Sequence, residues 1–304
     1  MDKNSSVAII TINYNGKDFL VPGIKSMLQM SGQYKIFVVD NASTDNSIEQ
    51  LQDECPQVEV IKNDSNYGFA QANNIGMEVA LKQGFDYFLI INNDIEVAPD
   101  MLERLLMQAS ETSVTVPKIY YYSPSDLIWS AGGYIDSNSE AKHRGFREKD
   151  NGQFDEECDI ETATGCCLLV HRKIYEKIGG FDENYFMYCE DTDWCHRMRE
   201  AGVQIHYIPS AKMWHKVSSS TGGEDSPLKV YYIARNKLYY TSKFKDSIGF
   251  RGYMYVRVKY SILMLLSCVY KKKNKNIWDA IVDYKSKTMG RRGILKKSSY
   301  IQDL

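Results

Sequence analysis

The chain has 304 residues, 43% of them apolar and 25% charged, which is room for one large domain or two modest ones and the balance of an ordinary globular protein. The longest apolar stretch, Tyr260 to Tyr270, is about half of the ~20 residues a membrane span needs. With no basic start and apolar core before Val7, integral-membrane, signal-bearing and collagenous classes are set aside. The net charge of −2 conceals an asymmetry, because residues 243–304 carry 15 Lys and Arg against four acids while the other 242 residues carry 22 against 35.

Val7 to Ile12 is a continuous apolar run ending at Asn13-Tyr14-Asn15-Gly16, a buried strand and its turn. Leu20, Ile24, Met27 and Leu28 then recur at helical spacing despite Pro22 and Gly23. Ile36 to Val39 predicts a second strand stopping at Asp40-Asn41, with Ser43 or Thr44 as cap for a helix through Ile48 and Leu51. Val58–Ile61 is a third strand, Gly68–Leu81 a helix, and Tyr87–Ile91 a fourth strand ending at Asn92-Asn93-Asp94. Pro99 opens a further helix through Leu102, Leu105 and Leu106. Continuous apolar strands alternating with helices predict an α/β fold with a mostly parallel sheet flanked by helices. Such sheets bind ligands beyond the carboxyl ends of their strands. Thr11, Asn13 and Tyr14, then Asp40, then Asn92 to Asp94 are therefore expected to converge on one crevice.

The second half is less regular. Asp136 to Ile160 is polar, a mobile loop or a hairpin, and Gly165 to Val170 predicts a strand. Gly179-Gly180-Phe181-Asp182 is a turn, Glu190 to Ala201 a helix closed by Gly202, and Val203 to Ile208 a strand. Ser218 to Gly223 is a flexible lid or a plain linker, followed by helices at Val230–Lys243 and Tyr253–Tyr270.

Neither the glycines of a dinucleotide fingerprint nor a GxxxxGK[ST] loop is present, so a nucleotide would be held by side chains and a metal. Asp94, ending an apolar strand, reads either as a turn residue or as a hard oxygen ligand for Mg or Mn at a diphosphate. Asp40 reads either as a helix cap or as the acceptor for a pyrimidine ring N–H.

VAIITINYNG from Val7, VVDNASTDNS from Val38, NYGFAQANNIG from Asn66, LIINND from Leu89, the stretch Gly165 to Gly202 and the Trp214-His215 pair together resemble the family 2 glycosyltransferases of the GT-A fold. Within that family the likeness is to bacterial rhamnosyltransferase-like enzymes of polysaccharide assembly, and it runs in order from residue 7 to about 240. It implies a GT-A catalytic domain over residues 1–225, with a nucleotide-sugar half at about 1–110 and an acceptor half at about 111–225. A helical basic C-terminal extension at 226–304 would follow. Thr11, Asn13 and Tyr14 would line base and ribose, Asp40 would contact the base, and Asn93 and Asp94 would stand for the DxD motif. Asn92 and Asn93 replace acids there, which leaves Asp94 as the only charge.

Glu190-Asp191 matches the family's ED motif. Asp191 is expected to take the proton from the acceptor hydroxyl, with Glu190 orienting or binding acceptor, so that one displacement inverts the anomeric carbon. The alternative for this pair, and the expectation for Asp193, is an acidic helix start favoured by the macrodipole. His215 would complete the metal shell or be structural. Asn73 is placed to touch the donor, with Phe69 beside it as donor contact or core. Trp129, Cys166, Cys167 and Trp194 lie where acceptor would bind or simply pack. Arg235 would neutralise the leaving diphosphate or form a surface ion pair, and His143, His171, His196 and His206 have no supporting context.

The expected protein is an inverting glycosyltransferase dependent on a divalent metal, Mn or Mg, that moves rhamnose from dTDP-rhamnose to a glycan or lipid-linked acceptor. A UDP-hexose donor is the near alternative and a non-catalytic scaffold the distant one, which the intact Glu190-Asp191 pair disfavours. The loop Asn13 to Gly16 lacks the Gly-rich, Arg-containing form that a nucleotidyltransferase would need. Lys271 to Lys275, Arg291-Arg292 and Lys296-Lys297 predict peripheral attachment to anionic lipid on the inner face of a bacterial plasma membrane. A solvated bundle or a homodimer contact is the other use of that segment. Nucleic acid is set aside because the rest of the chain is acidic. Seven cysteines without repeated spacing suit a cytoplasmic location.

Overall fold

The first half of the chain runs β1 (Val7–Asn13), α1 (Leu20–Met27), β2 (Tyr34–Asp40), α2 (Ser47–Glu54), β3 (Glu59–Lys62), α3 (Gly68–Lys82), β4 (Tyr87–Ile91), β5 (Ile95–Val97) and α4 (Met101–Leu106). The second half adds β6 (Ser113–Tyr121), β7 (Ile128–Ser130), β8 (Gly133–Ile135), β9 (Ala141–His143), β10 (Cys158–Asp159), β11 (Cys167–His171), α5 (Arg172–Ile178), α6 (Glu190–Glu200), β12 (Gln204–His215), α7 (Pro227–Lys243), α8 (Lys245–Val269) and α9 (Lys275–Lys285). The computed structural model describes residues 5–216, 226–269 and 275–292. The expected lid at Ser218–Gly223 and the basic residues Lys271 to Lys273, Lys296 and Lys297 lie outside the described residues.

The unbroken apolar character of β1 follows from its place at the centre of the sheet, whose order is β10-β12-β6-β11-β4-β1-β2-β3. Val7 and Ile9 enter one core with α1, α2 and α4, while Ala8 and Ile10 enter the opposite core under α3. β1 pairs in parallel with β2 and β4, and β2 with β3, so the three loops after β1, β2 and β4 open on the same edge. β11 then inserts antiparallel between β4 and β6 with Cys167 opposite Ile91, which brings Gly165 and Cys166 to that edge as well.

Two expectations are corrected and one open alternative is resolved. α2 begins at Ser47 behind Asn46 in the left-handed region, and Ser43 caps nothing, because its hydroxyl is drawn into the site. β12 does not stop at Ile208 but continues to His215 through a register shift between Ile208 and Lys212, where Pro209 lacks the N–H that regular pairing needs. The polar span from Asp136 opens on the turn of the hairpin β8–β9 and includes β9, the hairpin of the two expected forms, and its continuation is pinned by the fully buried Lys118, which reaches Asp150 at 2.9 Å and Asp155 at 2.5 Å.

Gly23 lies inside α1, where glycine costs helix stability of about 1 kcal/mol relative to alanine. Its use is steric: a Cβ there would collide with the Asn93 carbonyl oxygen, so the glycine lets α1 close over the loop after β4. Gly23→Ala is expected to lower stability by about 1–3 kcal/mol in denaturant unfolding, despite its helix propensity. A gain in stability would contradict this packing.

Candidate active site

Asn13 joins the three strand ends. It sits opposite Asp40 in the β1–β2 register, and its side-chain amide donates to Asp40 Oδ1 at 3.1 Å, Ser43 Oγ at 3.0 Å and Ser47 Oγ at 2.8 Å. Its own Oδ1 accepts from the Asn93 amide at 3.1 Å, which fixes the loop after β4 against β1. Ser43 donates to Asp40 from both its hydroxyl, at 2.6 Å, and its backbone N–H, at 3.1 Å, so Asp40 is oriented yet keeps acceptor capacity. Tyr14, just beyond, is 44% exposed, free to cover a planar ring. Thr11 is fully buried with an unpartnered hydroxyl, and Asn73 is buried too, its amide donating to Phe69 O within its own helix.

Asp94 and His215 face each other across the edge. β12 pairs with β5 so that His215 lies opposite Ile95, and His215 Nε2 stands 3.1 Å from Asp94 Oδ1. Both are buried. Burial alone would raise the Asp94 carboxyl and lower the His215 imidazole. His215 reverses the shift of Asp94, and Cys166 together with the Asp94 hydrogen bond and charge reverses that of His215. Trp129 meets His215 edge-on with ring centres 4.7 Å apart, and His143 lies tilted against Trp129, also at 4.7 Å, with Nδ1 on Ser130 Oγ.

The acidic helix start reaches the same edge through strained backbone. Phe186, Tyr188 and Cys189 all have positive φ, at 65°, 67° and 72°, immediately before Glu190 opens α6. α7 holds that turn: the Asn236 amide donates to Tyr185 O, Met187 O and Tyr188 O at 2.8–3.0 Å, and the Arg235 guanidinium reaches Asn184 O and Tyr185 O. Arg235 is fully buried, so it is neither a surface ion pair nor a partner for diphosphate. Asp193 is likewise internal, bonded to Tyr185 Oη, Arg197 and Lys243. Trp194 is fully buried with its indole N–H on Gly179 O, which makes it core rather than acceptor surface.

Asp191 Oδ2 accepts the N–H of Gly165 at 3.0 Å, and the carbonyl of the next residue, Cys166, accepts the N–H of Asn92 at 3.0 Å. One residue step, about 3.8 Å between Cα atoms, therefore separates the anchor of Asp191 from the anchor of the Asn92–Asp94 loop. Cys166 is itself buried against His215. Burial lowers the His143 imidazole, with the Asp191 charge opposing that shift and the His215 charge adding to it. Sequence reasoning passed over His143 because nothing near it in the chain marks it; only the hairpin brings it to Trp129.

This architecture is GT-A, and the comparisons agree. The chain matches the family described as Glycosyl transferase family 2 over residues 6–179, and a second, described as N-terminal domain of galactosyltransferase, over 149–218. It belongs to glycosyl transferase family 2. The dTDP-rhamnosyl transferase RfbF of Shigella flexneri is 25% identical, covering 77% of this chain and 79% of its own length. The N-acetylglucosaminyl-diphospho-decaprenol L-rhamnosyltransferase of Mycobacterium tuberculosis is 27% identical, covering 70% and 77%. An uncharacterized protein of Sinorhizobium fredii is 27% identical over 81% of this chain, which spans only 28% of that longer protein. Among solved structures, GalNAc-T7 with UDP, GalNAc and Mn2+ superposes with a TM-score of 0.60 at 17% identity, over 94% of this chain and 58% of its own. A mannosyltransferase from Pyrobaculum calidifontis with GDP-Man and Mn2+ gives 0.55 at 13%, over 93% and 88%.

Glu190 is buried with Oε2 unpartnered, and burial together with the Asp191 charge raises its carboxyl well above the usual range. A raised carboxyl binds more protons folded than unfolded, so stability falls as pH rises above the ordinary carboxylate value of about 4.5. Glu190→Gln is expected to remove that cost: its melting temperature should exceed wild type by a margin that grows from pH 4.5 upward. A margin independent of pH would contradict a protonated Glu190.

Proposed function

We propose that the chain is an inverting, metal-dependent glycosyltransferase that moves rhamnose from dTDP-rhamnose to a lipid-linked or glycan acceptor in polysaccharide assembly. The observation that carries this reading is the one-residue link between the anchors of Asp191 and the Asp94 loop. It supports a carboxylate base acting beside the groups suited to a nucleoside diphosphate.

Asp40, oriented by Asn13 and Ser43, accepts the ring N–H of a pyrimidine, and Tyr14 covers the base. Asp94 and His215 offer a hard oxygen and an imidazole nitrogen. Asp94 and His215, 3.1 Å apart, are the residues that would hold a divalent cation beside a diphosphate, although among the described residues no cluster of three or more His, Cys, Asp or Glu is present. When bound, the cation neutralises charge developing on the leaving diphosphate. Asp191, held by the Gly165 N–H, removes the proton of the acceptor hydroxyl as that oxygen bonds the anomeric carbon from the face opposite the diphosphate. Trp129 and His143 form the wall against which an acceptor sugar stacks and hydrogen bonds. The basic C-terminal extension keeps the enzyme on the inner face of the membrane, where a lipid-linked acceptor lies. The rhamnosyltransferase names of the Shigella and mycobacterial relatives favour the donor, and the cations in the two solved neighbours favour the metal. A UDP-hexose is the second reading, since Asp40 would meet uracil and thymine alike.

Thermal unfolding with dTDP, UDP or GDP, each with Mn2+, tests this directly. Stabilisation by dTDP of about 2.7 kcal/mol is expected at a hundredfold excess over Kd, and Asp94→Asn should remove the part that depends on Mn2+. A shift with UDP alone selects the second reading; no shift with any nucleotide contradicts the transferase.

A further inference from the structure

α8 carries apolar side chains on two opposite sides. Its inward side is accounted for: Val256 and Tyr260 are buried in the cluster shared with α7 and α9, and Gly252 sits where a Cβ would collide with Ser139 Oγ. Lys259 pairs with Glu140 at 2.6 Å, so α8 grips the turn that leads into β9 and His143. The outward side presents Phe250, Met254, Val258, Ile262 and Leu265 at helical steps, exposed by 75%, 37%, 49%, 51% and 69%. Scattered exposed leucines are ordinary, but a continuous stripe of this length on one helix is not.

α9 repeats the pattern on a smaller scale. Its exposed positions fall at steps of three and four: Lys275, Trp278, Val282 and Lys285. Its two acids are engaged elsewhere, Asp279 with Arg292 and Asp283 with the Tyr231 hydroxyl, both at 2.5 Å. What α9 shows to solvent is therefore an apolar strip with a cation at each end.

We infer that the outward faces of α8 and α9 lie in the interfacial layer of an anionic phospholipid bilayer. No described helix is long and apolar enough to cross a membrane, and Arg251, Arg257 and Lys259 interrupt α8. A helix of this composition lies in the plane of the surface with its apolar side sunk to the acyl boundary. Trp278 suits headgroup depth, and the terminal lysines can extend their ammonium groups to lipid phosphates. A second copy of the chain fits this face less well, because two segments of 15 cations against four acids would be brought together. The proposed function relies on basic clusters for attachment; here the apolar stripe sets depth, and the grip on the β8–β9 turn holds the His143 wall next to the lipid. The inference rests on that reading only for the purpose of the surface, not for its existence.

The test is co-sedimentation of the full chain with vesicles of equal parts phosphatidylglycerol and phosphatidylcholine, and with phosphatidylcholine alone. Binding is expected to the anionic vesicles, weakened about tenfold or more by Ile262→Ser with Leu265→Ser. Lys275→Glu with Lys285→Glu should weaken it on anionic vesicles and leave the neutral ones unaffected. Melting temperatures and Mn2+-dependent nucleotide binding of these surface variants should match wild type, which separates this result from the transferase assignment. Wild-type vesicle binding by the serine variant, or no binding by the parent chain, overturns the inference. So does a dimer in solution that the serine variant dissociates while vesicle binding stays unchanged.

Discussion

Two hydrogen bonds from consecutive residues hold the site together. Gly165 donates its N–H to Asp191, and Cys166 offers its carbonyl to the N–H of Asn92. The first anchors the acid at the start of α6, the second anchors the loop that carries Asp94. Neither could be moved without moving the other, because a single peptide unit joins them. Gly165 also has room for nothing larger, since a Cβ would press on the Phe69 ring. The geometry of the site thus rests on backbone groups rather than on long side chains, which is the arrangement least able to drift.

The surroundings carry costs that a purely structural region would avoid. Three departures to positive φ within four residues before α6 are held by Asn236 and Arg235, which make five contacts to carbonyls of that turn. Thr11 keeps a buried hydroxyl without a partner, and Glu190 a buried carboxyl oxygen without one. Unmet groups of this kind, gathered at one edge of the sheet, are the mark of a place shaped for something other than its own stability.

The legible part of this protein was the part written locally. Continuous apolar runs identified β1, β2 and β4 and their ends, and the rule for parallel sheets then brought Asn13, Asp40 and Asp94 to one edge. What stayed hidden depends on contacts distant in sequence. The passage of β12 through Pro209 to His215 is set by pairing with β6 and β5. Arg235 looked like a surface cation, yet its partners lie about fifty residues away in the turn before α6. His143 acquires meaning only from the β8–β9 hairpin and Trp129. The apolar stretch Tyr260 to Tyr270 was legible, but nothing in the sequence says which side of its helix is covered and which is exposed.

The central claim is that Asp191 is the base in a cavity shared with Asp40 and Asp94. Single-turnover transfer by Asp191→Asn, measured beside its affinity for the nucleoside diphosphate with Mn2+, tests this most directly. The account predicts unchanged affinity and transfer slowed about a hundred- to ten-thousand-fold, the contribution of a positioned general base. Transfer at the wild-type rate, or nucleotide affinity lost together with transfer, would contradict it.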